Sequence, residues 1–143
     1  VKAVLAAGFA LLVWVPTGPV TGTARADPGT GAVNPNPPFV GHTEWTQSGR
    51  LASLRVFPTP SGRLASREPN NPGAADEAWA EVLAMAPNAD TPGMHAQFIC
   101  HWQFAELAQP GKTSWNLEPW RPVVDDAEMA ASGCNPGGPE EPN

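Results

Sequence analysis

The 143-residue chain carries 14 acidic and 8 basic side chains, a formal charge of −6, with 18 prolines, 14 glycines and two cysteines. This length holds one domain with accessory segments and leaves no room for a second core. An acidic surface is poor material for tracking a phosphate backbone, so nucleic-acid partners are disfavoured.

The first 26 residues read as an export signal. Lys2 supplies a positive start, Val4 to Val15 is an unbroken apolar run, and Pro16 ends it. Ala24-Arg25-Ala26 then places small residues at the two positions a signal peptidase reads. A membrane anchor is the rival, but a span needs roughly 20 apolar residues and this run is shorter. Cleavage after Ala26 removes Lys2 and Arg25 and no acid, which moves the charge from −6 to −8 and leaves no stable span. Residues 27–40 follow as a linker of Pro, Gly and Asn with little to bury, although Phe39 is apolar enough to dock.

Between Gly41 and Ser66 the pattern is β. Thr43 to Gln47, a turn at Ser48-Gly49, and Arg50 to Phe57 read as a hairpin. Ala52, Leu54 and Val56 share one face, and the mixed face of Leu51, Ser53, Arg55 and Phe57 calls for partial cover. Pro58 and Pro60 stop the strand, and Arg63 to Ser66 is expected to add a short third one.

Asn70 to Gly73 breaks the chain ahead of a helix. Ala75, Ala78, Trp79, Val82, Leu83 and Ala86 recur at helical spacing, and Pro87 ends the run. Glu77 and Glu81 lie on one face of it as ordinary solvated carboxylates. Thr91-Pro92, a capping hydroxyl before Pro at the first helical position, opens a second helix. Met94, Phe98, Trp102 and Ala105 then form an apolar stripe, with Gln97 and His101 together along its edge. Residues 97–104 also alternate like a strand, but the start signal favours a helix. Pro110-Gly111 turns the chain, and Ser114 to Trp120 is extended because Pro119 and Pro122 restrict the residues before them. Asp125 and Glu128 form a capping box for a last short helix that stops at Gly133. Trp79, Trp102 and Trp115 are the expected core anchors.

Two cysteines in an exported chain point to one disulfide. Cys100 and Cys134 would close a loop of about 35 residues, worth ~3–4 kcal/mol by chain entropy.

Three runs, QFICH (97–101), WNLEPWRP (115–122) with Lys112 before it, and CNPGG (134–138), resemble a family of small exported actinobacterial domains of unknown function. LRVFPT (54–59) and EAWAEV (77–82) match its front half, so the resemblance covers about residues 42–138. It implies export and a disulfide, and no activity.

Three chemistries compete for the remaining polar residues. His95, Cys100, His101 and Cys134 suggest a metal, but on a helix adjacent Cys100 and His101 point about 100° apart and export favours cystine over thiolate. No metal or other cofactor is expected. A cysteine nucleophile fails on the same disulfide. An acid–base cluster is the third: His101 with Gln97, Lys112, Asn116, Glu118 and Arg121. Against it stands a structural strut, in which Glu118 pairs with Arg121 and His101 caps a backbone carbonyl. Pro119-Trp120-Arg121-Pro122 is formally a polyproline ligand, yet Trp115, Leu117 and Trp120 within one short span read better as core anchors.

The expected fold is therefore α+β, an N-terminal β-hairpin or small antiparallel sheet packed on two or three helices. The domain runs over 41–136, is stapled by Cys100–Cys134, and is followed by a disordered tail at 137–143. The expected function is non-catalytic binding, with a cell-envelope component or extracellular protein as partner. The alternative is a small extracellular hydrolase using His101, Glu118 and Arg121.

Overall fold

The computed structural model describes residues 34–139. The expected signal segment, the linker up to residue 33 and the tail from residue 140 lie outside the described residues. Strands β1 (Val40–Ser48) and β2 (Leu51–Pro58) form the hairpin. Ser48 faces Leu51, so the loop is Gly49-Arg50, one residue later than the Ser48-Gly49 expected. Positive φ falls on Gly49 alone (60°), the pattern of a two-residue turn with glycine first.

After β2 the chain forms helix α1 (Pro60–Ala65), not a third strand. Thr59 caps it, accepting from the Gly62 N–H at 2.9 Å, and Pro60 fills the first turn. A local cap beats the weak alternation of four residues. The third strand is instead β3 (Trp115–Leu117), antiparallel to β2 in the order β1-β2-β3. Helix α2 (Pro72–Met85), a 3-10 turn (Pro87–Ala89), helix α3 (Pro92–Ala108) and helix α4 (Asp126–Ala131) complete the order. The α+β expectation holds, with four helices among the described residues because α1 is one.

Residues 97–104 are helical, as the Thr91 cap predicts: its side chain accepts from the Met94 N–H at 3.2 Å. The sheet buries Leu54, Val56, Trp115 and Leu117 against Met94, Phe98 and Trp102 of α3 and Ala78 and Val82 of α2. Phe98 lies 6.1 Å from Trp102 and 6.2 Å from Trp115, and Trp102 meets Trp115 edge to face. Trp102 and Trp115 are buried as expected, whereas Trp79 is only half-buried and lies against His95 and Phe98.

The start of the domain is tied down by a residue expected to be solvated. Glu81 on α2 accepts the backbone N–H of Phe39 at 2.8 Å and of Val40 at 2.7 Å, which satisfies both donors at the entry to β1. Phe39 itself is buried and its carbonyl accepts from Thr59 N–H, so the chain is held to the domain from within the stretch read as linker.

Candidate functional site

Helix α3 and the segment from Ser114 to Arg121 meet along the edge where Gln97 and His101 project. Both are buried, because the extended segment lies over them. The Gln97 side-chain amide forms a closed pair with one peptide group. Its Nε2 donates to the Glu118 carbonyl at 2.9 Å, and its Oε1 accepts the Glu118 N–H at 2.8 Å. A buried amide so paired leaves little capacity unused. One turn along, His101 Nε2 lies 3.1 Å from the Asn116 carbonyl. A carbonyl only accepts, so Nε2 carries the proton. Asn116 also takes the Ser114 hydroxyl on its side-chain oxygen at 2.9 Å.

Glu118 and Arg121 face each other with both side chains fully buried, Nε to Oε2 at 2.6 Å. The other Glu118 oxygen accepts from the Ser53 hydroxyl on β2 at 3.3 Å. The ladder explains this contact: Arg55 faces Asn116, so Ser53 lies level with Glu118 on the same face. Arg121 turns three further donors to the chain beyond Cys134, reaching the carbonyls of Pro136 (3.2 Å), Gly138 (2.8 Å) and Pro139 (3.2 Å). Gly137 is needed here, since its φ is +87° and a Cβ would fall 2.8 Å from the Pro122 ring.

Five of the expected residues are thus buried along this edge: Gln97, Glu118 and Arg121 in one hydrogen-bonded group, and His101 with Asn116 in a second beside it. No hydrogen bond links His101 to Glu118 among the described residues. Lys112 lies beside His101 on the wall of a cleft of about 390 Å³ that Phe104, Cys134 and Asn135 also line. Burial, with the Lys112 and Arg121 charges behind it, lowers the His101 pKa to about 4 against an upward pull from the Asn116 hydrogen bond. At neutral pH the ring is uncharged. Cys100 and Cys134 are bridged, with Cα atoms 5.6 Å apart, so neither offers a thiolate.

A second buried acid escaped the sequence reading. Glu106 on α3 pairs with Arg63 of α1 and with Arg67 at 2.6 Å, and accepts from the Gly111 N–H at 3.3 Å. Burial alone would raise its pKa, but the Arg67 and Arg63 hydrogen bonds outweigh that and hold it below the ordinary carboxylate range. The signal was the pair Arg63 and Arg67, four residues apart, whose convergence depends on the helix at 60–65 and the turn that follows it.

The three runs that carry the family resemblance are therefore one another's contacts. Gln97 holds Glu118, Cys100 holds Cys134, His101 holds Asn116, and Arg121 holds Pro136 and Gly138. The model of the family described as "Protein of unknown function (DUF2599)" matches residues 40–137. The chain belongs to this family. The DUF2599 span begins at the first residue of β1 and ends at Gly137, inside the Arg121 clamp. An uncharacterized protein of Mycobacterium tuberculosis is 66% identical over 122 residues, covering 82% of either chain. An uncharacterized protein of Mycobacterium leprae is 57% identical over 100 residues, covering 70% of this chain and 80% of its own. No solved structure matches this DUF2599 chain.

Proposed function

We propose that this protein is an exported, non-catalytic binding domain of the cell envelope or its surroundings. In this reading a signal at 1–26 is cleaved, residues 27–40 lead into the domain at 41–136, and 137–143 form a tail whose first residues Arg121 holds. The observation that carries it is the closed state of the polar cluster: Glu118 and Arg121 are buried, paired with each other and hydrogen-bonded to Ser53 and to the chain at 136–139. A catalytic acid or anion-holding arginine must reach substrate, and burial against these partners keeps both side chains from the surface. The same closure weighs against the hydrolase alternative built on His101, Glu118 and Arg121. Export is supported by the cystine, which persists in oxidising compartments.

N-terminal sequencing of protein from culture supernatant and from the envelope fraction tests this. A chain beginning at Asp27 with Cys100 and Cys134 cross-linked is the expected result. Cytosolic protein that retains Val4 to Val15 would overturn export. A His101→Ala protein that folds normally but loses a hydrolytic activity of the wild type would overturn the non-catalytic reading.

A further inference from the structure

We propose that the outer face of the sheet carries a binding site for a carboxylate group, held by Arg55 and Trp120; this rests on the binding reading above and gives it a place and a ligand class. The register puts Thr46 beside Ser53 on one side of β2 and Asn116 beside Arg55 on the other, all on the face turned away from the core. Trp120 walls this face, its ring fixed by the Arg121 guanidinium stacked 4.5 Å from the ring centre. Between them is a groove of about 140 Å³ lined by Thr46, Leu51, Ser53, Arg55, Asn116 and Trp120.

Four buried side-chain polar atoms lack a hydrogen-bond partner among the described residues, and two of them belong to residues of this groove: Arg55 Nε and Trp120 Nε1. Both are donors with no acceptor capacity. A buried donor left unpaired is costly, so a pair of them at one groove calls for an acceptor brought from outside the network. The planar guanidinium selects which acceptor, because its fork matches the two oxygens of a carboxylate. The hydroxyls do not compete, since Thr46 donates to the Ser53 carbonyl and Ser53 to Glu118.

Local charge permits an anion here despite the acidic chain. Glu118, the nearest buried acid, is answered by Arg121 at 2.6 Å. Glu44 faces Arg55 across the ladder, but it is exposed and no ion pair joins the two. Two sources can supply the carboxylate: a free small molecule or peptide end, or Glu140 and Glu141, which follow Pro139 in the sequence.

The test is a titration of the full chain, disulfide intact, with sodium acetate and with sodium chloride at matched ionic strength. The readout is the Trp120 indole N–H resonance, assigned by its loss in Trp120→Phe. The site predicts a saturable shift with acetate and none with chloride, and binding weakened about tenfold or more in Arg55→Gln. The other indole resonances report in the same spectra that each variant is folded. A Glu140→Gln/Glu141→Gln chain separates the sources: a shift seen only there assigns the groove to the chain's own carboxylates, and an equal shift in both proteins assigns it to a free ligand. The proposal is overturned if neither protein gives an acetate-specific shift, or if Arg55→Gln binds acetate like the wild type. Acetate binding by a protein that is not exported would sink the envelope reading and leave the site standing.

Discussion

His101 shows how a titratable side chain becomes a structural part. Its Nε2–H serves the Asn116 carbonyl, and burial beside Lys112 and Arg121 keeps the ring neutral, with a pKa near 4. In the unfolded chain the ordinary value is 6.5. Below that pH the unfolded chain takes up a proton that the folded ring refuses, so stability falls as acidity rises. The contribution is complete above pH 6.5 and is lost progressively down to about pH 4, in total about 3 kcal/mol. Glu106, also lowered, adds a loss of the same sign as its own carboxylate protonates. Urea unfolding of wild type and His101→Gln across this range isolates the histidine, because the Glu106 contribution is common to both. The two stabilities should converge as pH falls from 6.5 to 4, and parallel curves would show that His101 does not titrate against the fold.

At the scale of elements, the close approach of α1 to the first residues of the domain is the most exacting contact. A Cβ on Gly62 would fall 2.1 Å from the Phe39 carbonyl oxygen, a backbone atom that cannot swing aside. The same carbonyl accepts from Thr59, and the Phe39 N–H is held by Glu81, so three elements share this corner. Gly62→Ala should cost ~1–3 kcal/mol by overpacking. Gly73→Ala on α2, where nothing lies within 4 Å, should be neutral or slightly stabilising. Equal urea midpoints for the two variants would mean the corner yields freely. This corner also marks what the sequence hid. Thr59-Pro60 is the same start signal as Thr91-Pro92, but at 91 a long apolar stripe followed it and at 59 only six residues did. The hairpin was legible from alternation, and the Gln97–His101 edge from the helical period. Ser53 over Glu118 was not, because 65 residues separate them and a three-residue strand has no period to reveal its partner.

For the whole molecule, the cystine divides stability unevenly. The main core joins the sheet to α2 and α3, whereas α4 is held by a small cluster in which Cys100, Met129 and Cys134 are the buried members. Cys134 reaches this position through two successive left-handed residues, Gly133 at φ 62° and itself at φ 68°, so the bridge also holds a backbone turn that a non-glycine residue adopts reluctantly. Reduction should lower global stability by ~3–4 kcal/mol, the chain-entropy value for a 34-residue separation. The loss should be local first. Without the bridge, α4 keeps Met129 and the Asp125 cap, while β1 and β2 keep the full aromatic core. Hydrogen exchange of the reduced protein should therefore quicken over 125–135 before it does over the sheet. Arg121 adds a second tether, since its bonds to Pro136 and Gly138 outlast reduction and keep the end of the domain from leaving outright. Uniform quickening across α4 and the sheet together would show instead that the two clusters unfold as one unit, and that the cystine stabilises the whole fold rather than its C-terminal corner.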